Sequence, residues 1–228
     1  MARQPRLDVP NLLLHVINRG NGRQSIFRSK ADREEYLDLI ERFKERYSVR
    51  LYHYVLMTNH VHFLVESLEE GALAGFMHDL TLAHTVRFNQ RNRTVGHLWQ
   101  GRYKAIPIDR DAYFLQCGRY IEINPVRAKM VRHPSEYTWS SYAVYANGEP
   151  SRIIDSHPLY NDLGGTPAIR QRRYQADMER ELVATRAKEK TRFSERQIYG
   201  SPKFIAKLKR DHGFTILRSK PGRPKNGT

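Results

Sequence analysis

A single cysteine, Cys117, stands among 228 residues, so no intrachain disulfide and no Cys-rich zinc module can be built. That scarcity fits a reducing compartment, and a cytoplasmic protein is expected. No apolar run approaches the roughly 20 residues that a membrane-spanning helix needs. The first residues, Met1-Ala2-Arg3-Gln4-Pro5-Arg6, are basic, but the short apolar stretch behind them ends at Asn18 and Arg19. They do not read as a signal peptide. Internal repeats are also lacking. Acidic residues are in short supply: 24 Asp and Glu face 39 Lys and Arg, a net charge of +15. An excess of that size points to a polyanionic partner. Nucleic acid is favoured over membrane because no long cationic amphipathic helix stands out. The excess is uneven. Residues 1–166 hold 22 basic against 18 acidic residues, whereas residues 167–228 hold 17 against 6.

What is present reads as alternating strands and helices. Leu12-Leu13-Leu14-His15-Val16-Ile17-Asn18 is a strand closed by the loop Arg19-Gly20-Asn21-Gly22. A helix follows, with Asp32 as its cap and Tyr36, Leu37, Ile40, Phe43 and Tyr47 at helical spacing. Val49–Leu56 alternates as a strand, and Thr58-Asn59 turns it into a second one. Leu73 to Asn89 has a helical apolar stripe; Tyr103–Ile108 is a short strand, set at a sheet edge by Pro107. A third helix starts near Asp109 or Asp111 and runs through Cys117 and Tyr120. The order β-α-β-β-α-β-α predicts an α+β fold, a mostly antiparallel sheet with packed helices of the ferredoxin-like kind. Residues 1–145 form the expected main domain, 146–166 an irregular extension, and 167–228 a basic, largely helical C-terminal region. Helices are expected there at about 169–190 and 202–210, followed by a tail too rich in Pro and Gly to order.

The most informative residues are His60 and His62. In a strand their side chains leave the same face, and paired imidazoles on a rigid strand can hold a divalent metal. The plain alternative is two half-buried strand residues. In the third helix Tyr120 and Asn124 are one turn apart on one face, and Pro125 ends or bends the helix at Asn124. Either Tyr120 packs and Asn124 satisfies the helix end, or an amide oxygen and a phenol face a metal. The second choice makes coherent chemistry: a phenol is a poor nucleophile at neutral pH, but it can attack a phosphodiester if a metal polarises the phosphate and stabilises the developing charge. The donors suit Mg²⁺ or Mn²⁺, and two imidazoles also accept Zn²⁺.

The segments carrying these residues resemble a known family. His60-Val61-His62 is similar to the signature of HUH single-tyrosine transposases. Tyr54–His62, His97–Tyr103, Arg119–Ala128 and Tyr137–Tyr142, in this order, resemble the REP-associated tyrosine transposases, over about residues 7–145. The resemblance implies site-specific nicking and joining of single-stranded DNA at REP-type hairpins, through a covalent 5′-phosphotyrosine and a free 3′-hydroxyl. It implies Tyr120 as nucleophile and His60, His62 and Asn124 as metal ligands; many relatives carry Gln at the last position. The rivals are a non-catalytic protein that binds palindromic repeats and a metal nuclease in which water attacks.

For DNA contacts, His97-Leu98-Trp99-Gln100-Gly101-Arg102-Tyr103-Lys104 mixes aromatic and basic residues, as base stacking and phosphate neutralisation require. Trp99 is equally suited to a core. Arg19 and Asn21 bring a guanidinium and backbone N–H groups to DNA, or form a solvated turn. Arg223, in Gly222-Arg223-Pro224, resembles the centre of an AT-hook. The basic C-terminal region is expected to add phosphate contacts. A nucleoid-associated monomer is expected, with the extension after the tyrosine helix covering the surface that related enzymes use to dimerise.

Overall fold

The computed structural model describes residues 7–186, 193 and 197–215. Four strands, β1 (Leu12–Arg19), β2 (Val49–Met57), β3 (His60–Ser67) and β4 (Lys104–Pro107), form one sheet ordered β2-β3-β1-β4. Every neighbouring pair is antiparallel. Helix α1 (Lys30–Arg46) joins β1 to β2, α2 (Ala72–Asn92) joins β3 to β4, and α3 (Arg110–Glu122) follows β4. The element order is the expected one. Asp32, expected as the cap of α1, sits instead at its third position: Ser29 caps the helix, and the Asp32 carboxylate accepts from the Ser29 backbone N–H at 3.0 Å.

The sheet is covered on both faces, which explains why β1 and β3 are buried along almost their whole length. One face carries Leu14, Val16, Val61, Phe63 and Val65 against Tyr36 and Ile40 of α1 and Phe76 and Leu80 of α2. The opposite face carries Leu13, Val55, Leu64 and Ile106 against Phe114, Cys117 and Ile121 of α3. Strand β2 departs from the alternation that its sequence suggests. Its register with β3 shifts between Leu51 and His53, a bulge that turns both Tyr52 and His53 toward the α3 side.

Beyond α3 come α4 (Asn124–Arg127), α5 (Tyr142–Asn147), α6 (Pro158–Asn161), α7 (Pro167–Arg186) and α8 (Pro202–His212). In the stretch expected to be irregular, 146–166, α6 and the end of α5 are the only helical pieces. Helices α5 and α7 build a third apolar cluster in which Tyr174, Met178 and Leu182 are buried with Ile123, Tyr142 and Tyr145. A carboxylate at the junction ties it down. Glu122 is fully buried and accepts from His53 Nδ1 at 2.8 Å, Ser141 Oγ at 2.6 Å and Tyr174 Oη at 2.7 Å. A carboxylate is tolerated in such a place only with donors on it, so strand β2, the end of α3, the start of α5 and the middle of α7 are held to one point. Gly118 permits the approach, since a Cβ there would come within 2.4 Å of the His53 ring. The Gly222-Arg223-Pro224 motif lies outside the described residues.

Truncation after Thr166 therefore removes a donor to a buried carboxylate together with the three buried side chains of α7, besides Phe193, Ile198, Tyr199 and Leu208, which are buried in the other two clusters. At roughly 1.5–3 kcal/mol for each apolar side chain, the loss exceeds about 5 kcal/mol. The expected result is a melting temperature lower by about 10 °C or more, or no folded protein, read by circular dichroism. A truncated chain that melts within two or three degrees of the intact one contradicts this packing.

Candidate active site

The register of β1 with β3 assembles the site. Ile17 lies opposite His62 and Arg19 opposite His60, so the two histidines and the odd-numbered residues of β1 share the α3 face at one end of the sheet. Lys104 joins the row from β4, opposite Ile17. Helix α3 lays its last turn over these residues and delivers Tyr120. Its ring stands edge-on to His15 at 5.9 Å and to His62 at 6.4 Å, and only 4% of its surface is exposed.

Pro125 has the effect anticipated from its chemistry. α3 ends at Glu122 and a separate turn, α4, begins at Asn124. The Asn124 amide nitrogen donates back to the carbonyls of Tyr120 at 2.9 Å and Ile121 at 3.0 Å. Only the nitrogen can serve two carbonyl acceptors, so the amide oxygen is held on the side away from them. Asn124 thus satisfies the helix end and is also one of the residues that line the cleft.

The cleft encloses about 550 Å³ and is lined by His60, His62, Tyr120 and Asn124 together with Ile17, Asn18, Arg19, Gln100, Gly101, Arg102, Lys104 and Arg127. Four of these are cations and none is a carboxylate, a charge balance that selects for an anion. Both histidines are uncharged near neutral pH. Burial lowers His60 to about 4, with the Arg19 charge adding to the effect. Burial lowers His62 well below its ordinary value, reinforced by His15, His60, Arg127 and Arg19. His60 Nδ1 lies 2.6 Å from Asn59 Oδ1, and His62 Nδ1 lies 2.8 Å from His15 Nε2. The nitrogen each ring has left for a ligand is Nε2. Among the described residues no three His, Cys, Asp or Glu side chains converge to hold a metal. Two neutral imidazoles and the Asn124 amide do line the same cleft, groups of a kind that could hold a divalent cation with positions open for a phosphate.

The family model for IS200-like transposases matches residues 8–124, just over half of the chain and nearly all of this cleft. The chain belongs to the IS200-like transposases. No curated protein matches the sequence. Among solved structures, a REP-associated tyrosine transposase bound to a REP hairpin is 18% identical over 69% of this chain and 93% of its own, with a TM-score of 0.51. At that identity the likeness is one of fold. A candidate transposase from Deinococcus radiodurans R1 is 19% identical over 53% of this chain and 96% of its own, with a TM-score of 0.37.

In this IS200-like transposase the residues expected to touch DNA divide. Arg19, Arg102 and Lys104 line the cleft. Trp99 does not reach it: its indole N–H donates to the Thr81 carbonyl of α2 at 3.1 Å, and the ring packs toward Tyr36 and His84. Tyr103 is buried in the core beneath α1 and α2. The backbone N–H groups of Gly20 and Asn21 are spent on the carbonyls of Asn59 and Leu98, both at 2.9 Å, so that loop is tied to the protein rather than offered to a ligand. Two residues at the transposase cleft escape a reading by motif. Arg127 stacks its guanidinium over the Tyr120 ring at 4.7 Å, seven residues on, a helical spacing that would have disclosed it. His15 reads as one more core residue of β1, and nothing in its local sequence signals a role.

Burial of uncharged imidazoles has a measurable consequence. His15 is lowered to about 3 and His84 to about 4, mainly by burial, while the unfolded chain takes up these protons near pH 6.5. Below that pH the unfolded state binds more protons, so stability present above pH 6.5 drains away as pH falls toward 4. The melting temperature should decline steadily between pH 6.5 and 4.5, before most carboxylates titrate. A flat profile over that window contradicts neutral buried histidines.

Proposed function

We propose that this transposase is a metal-dependent enzyme that nicks and rejoins single-stranded DNA at REP-type hairpins, with Tyr120 as the nucleophile. The observation that carries this reading is one cleft holding a phenol, two neutral imidazoles, an amide oxygen and four cations. Its fold likeness to a transposase bound to a REP hairpin supports the choice of DNA partner.

In this mechanism Tyr120 Oη attacks the scissile phosphorus, a P–Oη bond forms, and the P–O3′ bond breaks. The phenol proton passes to solvent, the 3′ oxygen takes one up and leaves as a hydroxyl, and the 5′ phosphate stays on the tyrosine. Joining is the same exchange in reverse, with a 3′-hydroxyl attacking and the phenol restored. His60 Nε2, His62 Nε2 and the Asn124 amide oxygen would hold Mg²⁺ or Mn²⁺. The chemistry that such a cation supplies when bound is polarisation of a phosphate oxygen and neutralisation of its growing charge. Arg127 holds the Tyr120 ring by its face and sets a positive charge over the phenol that must lose its proton. Arg19, Arg102 and Lys104 neutralise the flanking phosphates.

The test is a labelled single-stranded REP-type hairpin oligonucleotide incubated with the protein and Mn²⁺. The expected product is a covalent adduct, destroyed by protease, that maps to Tyr120. Tyr120→Phe should lose adduct and cleavage, at least 10³-fold by order of magnitude, and keep hairpin affinity. Cleavage without adduct would mean attack by water, and binding without cleavage would mean a DNA-binding protein only.

Phosphate neutralisation by the basic C-terminal region belongs to the same reading. Lys203, Lys207 and Lys209 are exposed on α8. Replacing all three with Ala should weaken hairpin binding and lower the slope of log affinity against log salt by about 0.7–0.9 for each phosphate that a lysine had neutralised. The cleavage position should stay unchanged, because binding to phosphate carries little sequence information. An unchanged slope removes α8 from the DNA interface.

A further inference from the structure

The two ligand histidines are held by hydrogen bonds of defined direction. His15 Nδ1 lies 3.3 Å from the Phe193 carbonyl oxygen. A carbonyl only accepts, so His15 Nδ1 carries the hydrogen. The His15 ring is fully buried, its ring neighbours are His62 and Tyr120, and no carboxylate pairs with it among the described residues, so it is held as a neutral imidazole with one hydrogen, and its Nε2 must accept. Its partner, His62 Nδ1 at 2.8 Å, is therefore the donor, and His62 Nε2 is left with its lone pair. His60 follows the same logic through Asn59. The Asn59 amide nitrogen donates to the Arg23 carbonyl at 3.1 Å, which fixes the amide oxygen 2.6 Å from His60 Nδ1. His60 Nδ1 donates to it, and His60 Nε2 is bare.

We propose that His15 and Asn59 are positioning residues that hold His62 and His60 in the Nδ1–H tautomer, and that the His62 line ends on the Phe193 backbone of the C-terminal region. This rests on the reading of His60 and His62 as metal ligands. The opposite tautomer would put a hydrogen on the nitrogen that must donate its lone pair, so an imidazole free to choose loses part of its affinity. Phe193 lies well beyond the last residue matched by the family model, at 124, yet it serves the cleft twice. Its carbonyl terminates the line, and its ring packs against Tyr120 at 5.3 Å. A residue outside the matched transposase domain, Phe193, thus supports both His15 and Tyr120.

Tautomers can be read directly, without metal or DNA, in long-range ¹H–¹⁵N spectra of the histidine-labelled full-length protein. His15, His60 and His62 should each carry hydrogen on Nδ1. His62 carrying it on Nε2 would overturn the proposal, with no variant needed. In His15→Phe, which keeps the ring volume and removes the acceptor, His62 should shift toward the Nε2–H form. Mn²⁺ affinity by calorimetry should then fall about 10–100-fold, the usual cost of losing such a partner. His15→Gln restores an acceptor and should stay within a few-fold of the native chain. His62→Ala is measured beside them: unchanged Mn²⁺ affinity there rejects the ligand reading itself. If His62→Ala loses Mn²⁺ while His15→Phe binds it at native strength, the ligand stands and the positioning role is rejected.

Discussion

Antiparallel pairing of β1 with β3 sets Ile17 opposite His62 and Arg19 opposite His60, and the chemistry at the cleft depends on that register. Side chains alternate between faces along a strand, so a slip of one residue would turn both histidines into the α1–α2 core and bring Val61 and Phe63 out. The slip is forbidden by packing, since Val61, Phe63 and Val65 are fully buried under α1 and α2 while Leu64 is fully buried under α3. Hydrophobic burial on one face thereby fixes polar geometry on the other. The same register brings His15 diagonally beside His62, so a core strand supplies the hydrogen-bond partner of a cleft histidine.

The second constraint is the buried carboxylate of Glu122. Two residues before it on α3 stands Tyr120, and two residues after it Asn124, so whatever fixes Glu122 fixes the helix end between these two cleft residues. Its three partners come from β2, the start of α5 and the middle of α7. A charge in such a place is costly to strand and contributes direction more than net stability. The bulge in β2 is what brings His53 to it. The C-terminal region therefore does more than carry positive charge: Tyr174 of α7 donates to Glu122 at the end of the tyrosine helix, and Phe193, between α7 and α8, meets Tyr120 and His15.

Much of this was legible in the residues. Spacing of two placed His60 and His62 on one face, spacing of four placed Tyr120 with Asn124, and Pro125 marked the break between α3 and α4. Periodicity yielded the order of strands and helices. The remainder depends on partners distant in sequence. Trp99 sits among basic residues and reads equally as a stacking platform or a core residue; its indole finds a carbonyl on α2, a partner no local pattern discloses. Tyr52 and His53 look like alternating strand residues because a bulge leaves no local signature. A histidine in an apolar strand is an ordinary core residue until β3 supplies its partner. Phe193 is joined to His15 only by tertiary folding.

The claim beneath the whole account is that His60, His62 and Asn124 form one cation site beside Tyr120. Crystals of the full chain grown with Mn²⁺ and measured for anomalous scattering test it most directly. The account predicts one strong peak in the cleft, about 2.0–2.3 Å from His60 Nε2, His62 Nε2 and the Asn124 amide oxygen. A peak bound through Nδ1, a peak on other side chains, or an empty cleft at saturating Mn²⁺ would contradict it.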